Sequence, residues 1–136
     1  RTRGLDDLHI EGHLPDAETF EILARSAVAI NPQRPSSLQR ASSPVKIYYY
    51  AAMGLPMVLS EGPSVVSELE NRGAARVVPF EDSFVGAVRE MLQDDSRRSE
   101  MSESARQAAR EFAWESRVNG LEKIYLNQIE RRRMIT

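Results

Sequence analysis

Residues 43–60 read SPVKIYYYAAMGLPMVLS, and this stretch decides the fold. Ser43 followed by Pro44 is a helix start, with Pro at the first helical position, where its missing N–H is no loss. Ile47 and Tyr50 share one face at helical spacing, Gly54 ends the helix, and Pro56 prevents its continuation. Met57–Leu59 follows as a short apolar run with no in/out alternation, as expected of a strand buried on both faces of a parallel sheet.

The same alternation continues outward in both directions. Leu8–Ile10, Val28–Ile30 and Arg76–Val78 read as further short strands. Between them lie helical stretches. Asp16 caps one carrying Phe20, Leu23, Ala24 and Ala27, and a short one after the turn Glu61-Gly62-Pro63 carries Val65, Val66 and Leu69 and closes at Gly73. Asp82 or Ser83 caps a helix with Phe84, Ala87, Val88, Met91 and Leu92 on one face. Residues 96–136 form a helical tail, with one stripe of Met101, Ala105, Ala108 and Phe112 and a second of Val118, Leu121, Tyr125 and Ile129. A β-α-β-α-β-α-β-α order with short connections implies a parallel sheet, right-handed crossovers and helices on both faces. No repeat or linker divides residues 1–136, which read as a single domain.

Composition excludes several functions. The chain has 136 residues, 28% of them charged, and no Cys, so disulfides, thiolate metal sites and a cysteine nucleophile are ruled out. A net charge of −2 gives no field that would recruit nucleic acid. No apolar run approaches the roughly 20 residues that span a bilayer, and Arg1 to Asp7 are polar and charged, unlike a signal peptide. The chain opens at Arg1 without a methionine, which reads as a piece of something longer.

Ligands of parallel sheets bind beyond the carboxyl ends of the strands. That rule points to Glu11–Asp16, Asn31–Lys46 and Ser60–Ser64. In the middle segment, Ser42 and Ser43 stand at a helix N-terminus, with Lys46 one turn in and Arg34 and Arg40 before it, a set suited to a diphosphate. Ordinary capping beside solvated cations is the alternative reading of the same residues. Tyr48, Tyr49 and Tyr50 point about 100° apart on a helix, so at least one ring is available to stack on a base or sugar, or simply to pack its body and wet its hydroxyl.

His9 and His13 are four apart, but a strand and Gly12 keep them from forming a helical metal pair, and no metal site is expected. His13 by itself could give a substrate hydrogen bond. Glu11, Asp16, Glu61 and Glu68 are available to sugar hydroxyls or for solvation alike. Glu130-Arg131-Arg132-Arg133-Met134 is a basic cluster, suited to an anionic membrane surface or to a solubilising chain end.

Pro44-Val45-Lys46-Ile47-Tyr48-x-Tyr50 followed by Gly54-Leu55-Pro56-Met57-Val58 resembles the P-x-K-[IL]-[FY]-E-Y-x-x-x-G-x-P-V-V segment in donor-side domains of GT-B glycosyltransferases, especially the family 4 group. Gly12 with His13, the run Ala27–Pro32, Gly62 through Glu68, Arg76–Pro79, and Phe112–Trp114 with Tyr125 are similar to further family segments in the same order. The likeness covers about residues 8–126. It implies the Rossmann-like C-terminal half of a GT-B fold whose first strands are missing here. A nucleotide-sugar donor would bind this half, without a metal or other cofactor. A glycan or lipid-linked acceptor would be held by a separate N-terminal domain, in cell-surface polysaccharide synthesis at the cytoplasmic face of a membrane. By position, Ser42, Ser43 and Lys46 would hold the diphosphate, while Tyr49, His13, Gly62 and Glu68 would meet nucleotide or sugar.

The departures bear on activity. Most members carry two glutamates with seven residues between them, and these fall on Ala41 and Tyr49. A ribose diol is best met by a carboxylate accepting two hydrogen bonds, which neither residue can supply. Loss of both glutamates points to an altered donor or a dead site, and the missing first strands make the fragment expected to be inactive alone. A non-catalytic module with a degenerate nucleotide site and a nucleotide-sugar epimerase are the alternatives.

Overall fold

The computed structural model describes residues 7–135. Its centre is a parallel sheet of three strands, β1 (Ala29–Asn31), β2 (Met57–Ser60) and β3 (Ala75–Val78), in that spatial order. Ala29 pairs with Met57, and Met57 with Ala75, so the register is continuous across the sheet. Seven helices accompany it among the described residues: α1 (Asp16–Arg25), α2 (Ser37–Ala41), α3 (Val45–Ala52), α4 (Ser64–Asn71), α5 (Asp82–Gln93), α6 (Asp95–Phe112) and α7 (Trp114–Ile135). This is an α/β Rossmann-like fold with a helical C-terminal end.

Strand periodicity sorts the core into two layers. Met57 and Leu59 of β2 face one way, with Ala29 and Ala75, and are covered by Ile47 and Ala51 of α3, Val65, Val66 and Leu69 of α4, and Ala105 and Ala108 of α6. Val58 faces the other way, against Phe84, Ala87 and Met91 of α5 and Met101 of α6. All four residues of β2 are buried, as the apolar run Met57–Leu59 leads one to expect, and polar Ser60 is buried with them. Helix α6 thus reaches both layers.

The turns that deliver α3 and α4 into strands are alike. Gly54, at φ +67°, donates its N–H to the Ala51 carbonyl (2.9 Å), and Leu55 N–H reaches the Tyr50 carbonyl (2.9 Å). Gly73, at φ +71°, repeats the pattern with Glu70 (2.9 Å), and Ala74 with Leu69 (2.8 Å). Both are Schellman closures, in which a left-handed residue satisfies the last carbonyls and turns the chain.

Several expectations are corrected. Leu8–Ile10 forms no strand, and Ile10 is 78% exposed, because a strand needs a ladder partner and none stands beside it among the described residues. Within Asn31–Lys46 there is a helix, α2, which Ser36 caps by accepting from Gln39 N–H (3.0 Å). Pro15, Pro44 and Glu81, rather than Asp16, Ser43 and Asp82 or Ser83, occupy the N-cap positions of α1, α3 and α5. Helix α1 ends before Ala27 and buries no residue fully. Leu92 is exposed on α5. The stripe Val118, Leu121, Tyr125 and Ile129 of α7 lies exposed rather than packed. The first residues, Arg1 to Asp6, and the side chains of Arg133 and Met134 in the basic cluster, lie outside the described residues.

Candidate functional site

The carboxyl ends of β1 and β2 are fastened by one buried hydroxyl. Ser60 Oγ donates to the Asn31 carbonyl (3.3 Å) and accepts from Gln33 N–H (2.8 Å), so the chain leaving β1 is tied across the top of β2. From there Gln39, only 7% exposed, lays its amide over the next loop: Nε2 donates to the Glu61 carbonyl (2.6 Å). A Cβ at Gly62 would stand 2.8 Å from that nitrogen, so the loop passes close beneath the amide and a side chain at residue 62 would displace it. Gln39 Oε1 is buried without a hydrogen-bond partner. Ser42 Oγ donates to the Gln39 carbonyl (2.7 Å), closing α2.

Beside this arrangement is a polar cavity of about 450 Å³, lined among others by Gln39, Arg40, Glu61, Gly62, Ser67 and Glu70. An amide, a guanidinium, a hydroxyl and two carboxylates around one space offer both donors and acceptors, which suits hydroxyl-rich ligands. A second, apolar cavity of about 620 Å³ lies over the other face, between Ile30 and Pro32 at the end of β1 and Phe80, Phe84 and Val88. Arg34 reaches over the Phe80 ring, 5.8 Å from its centroid.

The seven residues singled out from sequence do not converge. Gly62 borders the polar cavity, and Ser42 supports the helix that carries Gln39 and Arg40. Ser43 and Lys46 lie exposed at the start of α3, which no side chain caps, and neither residue lines either cavity. Ser43 Oγ lies 3.1 Å from the Tyr48 hydroxyl. Tyr49 is half-buried against Phe20 of α1, ring centroids 5.3 Å apart. His13 is exposed after Gly12, whose φ of +71° makes the turn.

Glu68 is held by cations. Its Oε1 meets Arg72 Nη2 at 3.1 Å and its Oε2 lies 4.0 Å from Arg117 Nη2, while Arg72 also pairs with Glu111 at 2.7 Å. The hydrogen bond from Arg72 holds the Glu111 carboxyl below the usual glutamate range. No group of three or more metal-ligating His, Cys, Asp or Glu comes together among the described residues. No described helix is long and apolar enough to cross a membrane.

Gln39 and Ser60 escaped sequence reasoning. Ser36-x-x-Gln39 has the spacing of a capping box, a signal that would have placed α2. Nothing local marks Ser60 as the tie between two strands, since its partners are 27 and 29 residues away.

Residues 3–123 match the family described as glycosyl transferase-like. The chain belongs to that family. No curated protein and no solved structure matches it. Membership accounts for the order of weak motifs along the chain, and it makes the strand-end rim of a glycosyl transferase-like domain the relevant place to look for chemistry.

Proposed function

We propose that this chain is the donor-side part of a GT-B glycosyltransferase, holding a nucleotide-sugar while the sugar passes to a glycan or lipid-linked acceptor bound by another domain. The observation that carries the reading is the start of α3. It is exposed and free of side-chain caps, and Lys46 stands on its first turn with no ion pair among the described residues. Backbone N–H groups and the positive end of a helix favour an anion, and an ammonium beside them adds a full charge.

In such a site the diphosphate lies against Ser43–Lys46, and the hydroxyls of the sugar take up the donors and acceptors of the cavity at Gln39, Arg40 and Glu61. Residues 39–46 join the two places. Transfer develops negative charge on the leaving diphosphate, and fixed positive groups that meet that charge lower the barrier electrostatically. The same groups do the work a metal would otherwise do, so no cofactor is required beyond the nucleotide-sugar substrate. Acceptors of this kind place the enzyme in the cytoplasm, in peripheral contact with the inner face of a membrane.

Calorimetric titration of nucleoside diphosphates tests the site. Lys46→Ala is expected to weaken binding by about 1.5–3 kcal/mol, the value of a charge-assisted hydrogen bond. Equal affinity for the two proteins would remove Lys46 from the site.

One observation favours a second reading, a non-catalytic module. The Tyr49 ring, at the position of the ribose-binding carboxylate, is occupied by its contact with Phe20. Release of nucleoside diphosphate from a donor by the full-length protein would end that reading. Nucleotide binding acquired only on Tyr49→Glu would support it.

A further inference from the structure

The polar cavity beside Gln39 is walled by charges that find no partner within the chain. Arg40, Glu61 and Glu70 line it, and none of the three has an ion pair or a side-chain hydrogen bond among the described residues. The neighbouring carboxylates behave differently, Glu68 and Glu111 being held by Arg72 and Glu90 by Arg76. Ser67 and Glu70 share one face of α4, turned away from buried Val65 and Leu69, and that face closes the cavity.

Gln39 supplies a second, independent observation. It is only 7% exposed, yet its Oε1 has no hydrogen-bond partner, while its Nε2 is committed to the Glu61 carbonyl. A buried amide oxygen without a donor is costly until something fills it. Two acceptor-only carboxylates and this unfilled oxygen therefore face a single guanidinium, and the lining carries a net negative charge.

We propose that this cavity is the sugar subsite of the donor and selects a sugar bearing a free amine, with Glu61 and Glu70 as the specificity-determining residues. The proposal rests on the donor reading above, which makes the ligand a sugar. An ammonium brings three donors, no acceptor and one positive charge, and so answers both the carboxylates and the unfilled amide oxygen. A neutral hydroxyl leaves the carboxylate charge unbalanced. A uronate adds two more acceptors and a like charge, which is repelled. At about 450 Å³ the cavity falls within the roughly 300–1,000 Å³ typical of small-molecule sites. Arg40 stands three residues before Ser43, so their Cα atoms lie at most about 11 Å apart and one nucleotide-sugar can reach both the cavity and the start of α3.

Proton–nitrogen NMR of the 136-residue chain reads the cavity without a nucleotide. The titrants are the methyl glycosides of glucosamine, glucose and glucuronic acid, used at about pH 6 so that the amine is protonated. The glucosaminide should shift the amides of residues 39–40, 61–62 and 67–70 and bind about tenfold more tightly than the glucoside, while the glucuronide leaves them unmoved. Glu61→Gln and Glu70→Gln should each weaken the glucosaminide about threefold to fivefold and leave the glucoside within about twofold, a split that a merely structural role would not give. Both residues are exposed, so neither variant should disturb the fold. Equal affinity for the glucosaminide and the glucoside, preference for the glucuronide, or no shift up to about 100 mM overturns the proposal. Titrating nucleoside diphosphates into the same sample tests the donor reading separately. Diphosphate binding without glycoside selectivity keeps that reading and ends this one, whereas glycoside selectivity without diphosphate binding upholds the amino-sugar site and ends the donor reading.

Discussion

Gly54 sits where α3 must hand the chain to β2 within four residues. Its φ of +67° is cheap only without a Cβ, and a methyl group there would lie 2.7 Å from Arg106 Nε. Ser102 Oγ meanwhile donates to the Gly54 carbonyl at 2.6 Å, so α6 packs directly on this turn. The Arg106 side chain can swing away, whereas the left-handed backbone cannot be relieved. Gly54→Ala is therefore expected to cost about 1–2 kcal/mol, read as a lower urea midpoint with the slope unchanged. A loss under about 0.5 kcal/mol would show that the turn relaxes. Both this glycine and Gly73 were readable in the sequence, because a helix-ending glycine acts through its own backbone and needs no distant partner. Tyr49 and Glu68 were not, since Phe20 and Arg117 reach them only through the fold.

Elements differ widely in how much they depend on the rest. Helix α4 buries Val65, Val66 and Leu69, each such side chain contributing roughly 1.5–3 kcal/mol on leaving water. Helix α7 buries nothing among its described residues, and Ser116 and Arg117 tie its start to the body. Removing residues 114–136 should therefore leave the remaining domain folded, with stability changed by less than about 1 kcal/mol in a thermal melt. A truncated chain that fails to fold would show that α7 props up α6. The period of α7 was legible, and so was its apolar stripe. What covers that stripe was not, because periodicity reports a face and never its partner. The short strands were legible for the opposite reason: β2 lies between two neighbours and two layers, and its first three residues, Met57, Val58 and Leu59, are all apolar.

At the scale of the molecule, ion pairs reinforce the packing of neighbouring elements at its edge. Arg72 bridges Glu68 on its own helix, α4, and Glu111 of α6, and Arg76 of β3 meets Glu90 of α5 at 2.5 Å. Hydrogen bonds from these guanidinium groups hold the Glu111 and Glu90 carboxyls below the ordinary glutamate value. A carboxyl whose pKa is lower folded than unfolded adds stability above its unfolded value of 4.5 and loses that contribution as pH falls through the folded value. Stability should thus be level near neutrality and decline below about pH 4.5, and Glu111→Gln should make the decline shallower in denaturant melts taken at a series of pH values. The same slope in both proteins would mean that the Arg72–Glu111 pair contributes nothing measurable.

The sequence by itself determined the alternation of the three strands with helices α3, α4 and α5, the buried middle strand, the two glycine closures and the covering of both sheet faces by helices, because all of these follow from periodicity and backbone chemistry within a few residues. Only the tertiary structure decided that Leu8–Ile10 is not a strand, that Gln39 lies across Gly62, that Tyr49 packs on Phe20 and that Gln39, Arg40 and Glu61, rather than Ser43 and Lys46, line the polar cavity. Each of these depends on a neighbour distant in sequence, and a ladder partner, a ring contact or a cavity wall exists only once the chain has brought such segments together.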